Sequence, residues 1–392
     1  MLSVVDLLSS LESSLPAEGG KDRPNVSVSD RLRLMNTEWG MPEKPRSAAS
    51  DDRGIHHVTA ADAGTTLAAF LRRRLSDLSW KAAERLVRGR RVMIHGNICT
   101  DPARRLKEGD VVKRLARPAP PPPRPDDVRV VHLDAAVVVV DKPSGVTTTR
   151  HHEERSWPAR RRQQQPTLDE MLPGVIARAM ARAGRPRSAR GGSSARVGPV
   201  RGVHRIDRET SGLVVFARSV PAGRILAEQF RTHTTHRRYL AICVGRVTAR
   251  TIRSELVRDR GDGRRGSGGE GLGKLAVTHV QPLEHFGDAF TLVECRLETG
   301  RTHQIRIHLS EAGHPVCGER VYTTPLGGRR IADASGAGRV MLHAAELGFV
   351  HPETGEELLF TSPLPDDFKA LLARLRKPPP KKNEKNGDGS DF

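Results

Sequence analysis

The chain is short of the patterns that most often betray a chemistry. Its four cysteines, Cys99, Cys243, Cys295 and Cys317, are scattered with no Cys-x-x-Cys pair. That spacing argues against a thiolate zinc site and against the stapled framework of a small secreted domain, so buried reduced thiols are expected. No window reaches the eighteen or so consecutive apolar residues that a spanning helix needs. Met1-Leu-Ser-Val-Val-Asp6 carries an acid where a secretory signal would carry bases. A soluble, cytoplasmic chain is the expectation. There is no phosphate-cradling glycine loop and no ligand cluster at metal spacing, so no cofactor and no metal are expected. Acidic residues are also in deficit: 46 Asp and Glu against 65 Lys and Arg leave a net charge of +19 over 392 residues. Such a surplus suits a polyanion, because each phosphate neutralised releases condensed counterions. Charge of this kind speaks to association, not to fold.

At this length two or three units are expected. Residues 1–60 mix Ser, Pro, Gly and charge with little periodicity; apart from a short helix over 4–11 they read as a mostly disordered extension. A first folded unit is expected over 61–117. Leu67, Phe70, Leu71 and Leu75 fall at helical spacing. A second helix follows Ser79, a good N-cap, with Ala82, Leu86 and Val87 turned inward. A strand and a turn are expected over 91–97, and another turn and strand over 107–112. Residues 118–127 include consecutive prolines, which hold the chain extended as a semi-rigid spacer. A larger domain is expected over 128–376, followed by a disordered charged tail at 377–392. Within it, 150–166 and 183–200 read as arginine-rich surface insertions, with a short helix between them over 169–181. Residues 258–273 read as a flexible polar loop, and a helix over 220–230 should present Ile225, Leu226 and Phe230. Many strands with few helices indicate an α+β domain on a mixed or antiparallel sheet.

Two segments carry the chemistry. His204-Arg-Ile-Asp-Arg-Glu-Thr-Ser-Gly212 sets Asp207 between two arginines at the mouth of the apolar strand 213–217, where neighbouring cations keep a carboxylate ionised. An ionised carboxylate can act as a nucleophile. About ninety residues on, Thr299-Gly-Arg-Thr-His-Gln-Ile-Arg-Ile-His308 runs from strand into helix, with Thr302 as the expected N-cap and Ile305, Leu309 and Ala312 facing the core. Between them lies Tyr239, one of only two tyrosines. An isolated aspartate here would be read as a turn former, and an isolated strand tyrosine as core packing.

These segments resemble the RNA pseudouridine synthases of the RluA type. So do Val137-Val-Val-Val-Asp-Lys-Pro-Ser-Gly145, Arg237-Arg-Tyr-Leu-Ala241, His343-Ala344, His351-Pro-Glu-Thr-Gly355 and Pro363-Leu-Pro-Asp-Asp-Phe368, in the family's order over 128–376. Ile206 stands where leucine is more usual, a volume-conserving change. Residues 61–117 resemble the alpha-L RNA-binding module that many of those enzymes carry in front, and Arg72, Arg73, Arg85, Arg88, Arg90 and Arg91 would be its phosphate-gripping cations.

The resemblance implies a bent sheet with a central cleft, RNA as the partner, and isomerisation of uridine to pseudouridine. It assigns the nucleophile to Asp207, contact with the target base and help in removing its carbon 5 proton to Tyr239, and the basic partner of the carboxylate to Arg306, with Arg301 as competitor. His204, Arg205, Arg208, Arg301, His303 and Gln304 are then loop-positioning or RNA-contacting residues. Ribosomal RNA is the expected substrate and transfer RNA the alternative, acted on by a monomer that flips its target nucleotide out of the stack. A catalytically silent RNA-binding protein on the same scaffold is the rival reading. His303, His308 and His314 are expected at phosphates or sugars, not at a metal.

Overall fold

The computed structural model describes residues 54–94, 97–115, 118–119, 121–150, 154, 156, 162, 165–182, 197–325 and 327–377. The extension before residue 54 with its expected helix, the tail after 377, and most of the two arginine-rich insertions lie outside the described residues. The chain divides into two compact units, Met1–His57 and Val58–Phe392. In the first, the described residues carry one short strand, β1 (Ile55–His57).

The second unit opens with two capped helices. Thr66 accepts from the Ala69 amide to start α1 (Leu67–Arg74), which buries Leu67, Ala68, Phe70 and Leu71. Ser79 accepts from the Ala82 amide to start α2 (Trp80–Arg88). Here the buried residues are Ala83 and Val87, while Ala82 and Leu86 are only half-buried. The inward stripe is thus turned partly away from the one expected, each residue being about 100° of rotation. Strand β2 (Val92–Ile94) runs antiparallel to both β3 (Asn97–Ile98) and β4 (Val111–Arg114). Helices and strands close over a separate core that includes Phe70, Leu71, Val87, Val92 and Val112. After the spacer, whose Arg124 is extended at φ −86° and ψ 162°, the second core begins.

Eleven described strands form one sheet. They are β5 (Arg129–Leu133), β6 (Val137–Lys142), β7 (Arg201–Gly202), β8 (Ser211–Ala217), β9 (His236–Val244), β10 (Arg250–Val257), β11 (Gly266–Ser267), β12 (Lys274–Phe286), β13 (Phe290–Leu297), β14 (Leu342–Val350) and β15 (Glu357–Thr361). The order is β11-β10-β12-β13-β9-β14-β8-β6-β5, with β15 beside β14 and β7 beside β8. The β8–β14 pair is parallel and the other described pairs are antiparallel, so the sheet is mixed.

Period-two alternation explains why the four-valine run of β6 is apolar throughout. Val138 and Val140 pack in one core with Leu168, Leu172 and Ile176 of α3 (Leu168–Arg182) and Phe368 and Leu371 of α6 (Asp366–Leu375). Val137 and Val139 pack on the other face with Ala222 and Leu226 of α4 (Val220–Arg231). Ile225, expected inward, is 45% exposed, because the buried stripe of α4 runs through Ala222 and Leu226. The loop at 258–273 is pinned instead of loose. It contains β11, and the Arg260 guanidinium, almost wholly buried, pairs with Glu311 at 3.3 Å and Asp262 at 2.9 Å. All four cysteines are buried and free. Among the described residues no helix is long and apolar enough to cross a membrane.

Candidate active site

Asp207 lies on the loop that feeds β8, and that loop is laced to the turn after β6. The fully buried Lys142 donates from Nζ to the carbonyls of Pro143, Val146 and Arg208 at 3.0–3.1 Å. Gly145 N donates to Arg208 O at 2.7 Å, and Arg208 Nε returns a bond to Gly145 O at 3.0 Å. Ser144 Oγ holds the Glu209 carbonyl, and Thr148 Oγ1 holds the Ile206 carbonyl, both at 2.7 Å. Every bond in this lattice reaches backbone on one side, so it fixes the path of residues 206–209 and not merely their side chains. Gly212 completes it. Its φ is 112°, and a Cβ there would lie 2.2 Å from the Ala344 carbonyl oxygen, where β8 meets β14.

The carboxylate faces a buried cation. Arg306, near the start of α5 (Gln304–Glu311), donates from NH1 to Asp207 Oδ2 at 3.2 Å. The other edge of that guanidinium is held by Glu319, with Nε to Oε2 at 2.7 Å and NH2 to Oε1 at 2.9 Å. Glu319 Oε1 also accepts from the amides of Arg320 and Val321. Tyr322 lies under the guanidinium, 5.3 Å from ring centroid to Cζ, and its hydroxyl is 2.7 Å from His303 Nδ1. His303 Nε2 is 3.8 Å from Asp207 Oδ1. Tyr239, on β9 between Cys295 of β13 and Ala344 of β14, lines the same cleft of about 430 Å³.

Ionisation follows from these contacts. Burial opposes the charge of Asp207, but His303 when protonated, Arg306 with its hydrogen bond, and Arg205 together hold the carboxyl below its usual range. Burial likewise opposes the charges of Arg306 and Glu319, and their mutual attraction more than offsets it, so each is held in its charged form. His303 is pushed below the ordinary imidazole range, first by burial, with Asp207 opposing and Arg306 reinforcing the shift. Burial raises the phenol of Tyr239, so its resting form is protonated.

Of the two competing guanidiniums, Arg306 is the one at Asp207; Arg301 Nε instead donates to the Leu275 carbonyl at 2.9 Å. Of the two arginines expected to keep Asp207 ionised, Arg208 points to Gly145, whereas Arg205 does contribute, after His303 and Arg306. Asp207 and Arg208 sit in a turn closed by Thr210 N donating to Asp207 O at 3.1 Å, so adjacency in sequence does not bring the Arg208 guanidinium to the Asp207 carboxylate. Gln304 is corrected from an RNA contact to a structural residue. Its Oε1 accepts from Thr299 Oγ1 and Arg301 N, and its Nε2 donates to Val277 O and Thr278 Oγ1. His204 is likewise engaged: Nε2 accepts from Val215 N at 3.0 Å and the ring stacks on Phe230 at 4.2 Å. Burial first, and Arg237 after it, push its pKa down to about 3.

The cap of α5 is His303, in the left-handed region at φ 59°, and not Thr302. Ile305 and Leu309 are buried as expected, Ala312 only half-buried. His308 is not at an RNA-facing position; buried, it is bonded to Thr278 and Ser254. His314 Nδ1 donates to the Val244 carbonyl. Glu319, Tyr322 and Lys142 were assigned no role from sequence. A lone carboxylate in Cys317-Gly-Glu-Arg-Val-Tyr322 carries no spacing signal, whereas the single lysine ending an apolar strand did offer one.

In the first module, Arg85 and Arg88 are exposed and Arg72 lies over Trp80, 5.5 Å from its centroid. Arg73 pairs with buried Asp62 at 2.9 Å, while Arg90 and Arg91 bond the carbonyls of Ala119 and Leu115. Part of that cation set therefore braces the module itself.

Residues 136–311 match the model of RNA pseudouridylate synthase, and residues 65–112 match the S4 domain. The chain is 45% identical over 177 residues to an uncharacterized RNA pseudouridine synthase of Bacillus subtilis, covering 45% of this chain and 55% of that one. It is 44% identical over 179 residues to ribosomal large subunit pseudouridine synthase D of Neisseria meningitidis, covering 44% of this chain and 48% of that one. The protein of the same name from Vibrio parahaemolyticus is 42% identical over 181 residues, covering 45% and 55%. The chain thus spans about half the length of the curated relatives it matches.

Proposed function

We propose, from the match of residues 136–311 to the RNA pseudouridylate synthase model and of residues 65–112 to the S4 domain, that the protein isomerises uridine to pseudouridine in large-subunit ribosomal RNA. The observation that carries the reading is the ionised Asp207 held 3.2 Å from the buried Arg306 in the cleft that Tyr239 lines. A carboxylate so placed attacks carbon 1′ of the ribose, as glycosidase nucleophiles do. The bond from carbon 1′ to N1 breaks and its electron pair leaves with the uracil. After the base turns, carbon 5 bonds to carbon 1′ and the bond to Asp207 breaks, freeing the carboxylate. The carbon 5 proton is lost and N1 gains one, so atoms and electrons balance without an outside reagent.

The other residues divide the remaining work. Arg306 keeps the nucleophile ionised and receives charge again when Asp207 leaves. Tyr239 offers an aromatic face to the uracil. Because its phenol rests protonated, any proton it takes from carbon 5 must be matched by one that it passes on. A stacked uridine cannot turn, so the nucleotide is flipped into the cleft, at a cost of a few kcal/mol. The S4 module contributes phosphate contacts that position RNA without reading it.

The test has two arms. Pseudouridines in large-subunit and transfer RNA are mapped in a strain lacking the gene and in its parent; a position lost from large-subunit RNA is expected, and one lost only from transfer RNA overturns the substrate. Asp207→Asn is then expected to release no tritium from RNA carrying tritium at uridine carbon 5 while still binding RNA. Activity equal to the unaltered chain refutes the nucleophile.

A further inference from the structure

The two neighbouring arginines of β9 are treated oppositely by the fold. Arg238 faces away from the cleft and is neutralised, pairing with Glu294 and, at 2.8 Å, with Glu346. Arg237 projects on the face shared with Tyr239, two residues or about 7 Å along the strand, and lines the cleft. It is 8% exposed. Its NH2 donates to the Glu298 carbonyl at 3.1 Å and its Cζ lies 5.9 Å from the Phe230 centroid. Its Nε is buried with no hydrogen-bond partner, and among the described residues no carboxylate pairs with it.

Among the described residues the one carboxylate lining the cleft, Asp207, is already paired with Arg306. His233, at φ 62°, and Arg301 line the same part of the cleft, and Arg231 beside them is already paired with Glu228. Burial, then Arg237 and Arg301, depress His233. Gly300 makes the arrangement possible: a Cβ there would stand 2.7 Å from Arg237 NH1. Without a side chain at 300, the guanidinium occupies that space.

A cation buried without a counter-charge is an arrangement that folding alone disfavours, and it calls for an anion at the moment of use. We propose that Arg237, flanked by His233 and Arg301, forms a phosphate-binding subsite that holds a backbone phosphodiester of the RNA strand beside the uridine lying against Tyr239. The uracil is neutral when it arrives and offers stacking, which Tyr239 already meets. A phosphodiester is the anionic group within one nucleotide's span of that base, and the guanidinium fork suits its oxygens. The inference rests on the function proposed above and adds which side chain grips the strand at the reacting nucleotide.

The test uses the full chain with unmodified, in-vitro-transcribed large-subunit ribosomal RNA at a series of salt concentrations. For Arg237→Gln the slope of log affinity against log salt should flatten by about 0.7–0.9, the loss of one phosphate contact. The loss of turnover should fall on KM more than on kcat. Gly300→Ala, which keeps the charge but displaces the guanidinium, should move both quantities the same way with an unchanged circular dichroism spectrum, and Arg237→Lys should retain the salt slope. An unaltered slope and KM in folded Arg237→Gln, or a loss confined to kcat, overturns the subsite. Should that variant fail to fold, Gly300→Ala decides on the same criteria. Tritium release by the unaltered chain keeps the two readings apart: none, with flattened slopes in the variants, sinks the proposed reaction and leaves the subsite, whereas release with unchanged slopes does the reverse.

Discussion

Glu319→Gln should show how far the reaction depends on a residue that touches no substrate. Glu319 and Arg306 are paired through two bonds of 2.7 and 2.9 Å, with side-chain exposures of 1% and 8%. One carboxylate oxygen also accepts the amides of Arg320 and Val321, so a glutamine must keep its carbonyl there. Its amide nitrogen then faces Arg306 Nε, donor against donor. The result is a buried guanidinium with one good partner removed, a class of change that costs about 3–5 kcal/mol. At about 2–4 °C per kcal/mol for a domain of 150–250 residues, the thermal midpoint should fall by roughly 6–20 °C. With its far edge released, Arg306 is no longer fixed against Asp207, so kcat should drop while KM for RNA changes little. A double-mutant cycle with Arg306→Met separates the direct interaction from general damage, since Glu319→Gln should cost less once its partner is gone. Wild-type stability and turnover in Glu319→Gln would refute the claim that this carboxylate positions Arg306.

Two further perturbations bear on the frame around Asp207. Burial pushes Lys142 down from 10.5 to about 7, with Glu209 and Asp207 opposing the shift. Between those two pH values the folded chain binds fewer protons than the unfolded one, so stability attributable to Lys142 rises with pH across that window, by at most about 5 kcal/mol, and is flat outside it. The difference in unfolding free energy between the unaltered chain and Lys142→Met, followed by denaturant titration from pH 6 to 11, should carry that slope; a constant difference contradicts it. Gly212→Ala sets a Cβ 2.2 Å from a strand carbonyl at a φ of 112°. Soluble yield and thermal midpoint should both collapse, and a near-native midpoint would mean that β8 and β14 are not in register at that point.

Much of the candidate site was legible before any coordinates. Asp207 was marked by its motif, Tyr239 by rarity and position, and Arg306 was named alongside Arg301. The helices of the first module were legible because Thr66 and Ser79 cap them and their apolar residues keep helical spacing. Misreadings came where one pattern serves two ends. Gln304 looks like an RNA contact in a motif of polar residues, yet an amide with two donors and two acceptor sites is equally suited to closing an internal network. Ile225 fits the apolar stripe of α4 by composition, but which arc of a helix is buried depends on the sheet against which it lies.

The order of residues along this chain settled which groups exist: one acid preceding a buried strand, a tyrosine two places after an arginine on a single face, and cations in excess of anions. Those are properties of local spacing and composition, and they survive without knowing where the strands lie. Tertiary structure alone decided which charge meets which. It brought a helix from position 304 to the loop at 207, set Glu319 behind Arg306, wove the 142–148 turn into the backbone at 206–209, and left Arg237 without a counter-ion among the described residues while its neighbour received two. A hydrogen bond needs its partners within about 3 Å and charges are screened over roughly 10 Å, and separation in sequence does not encode separation in space.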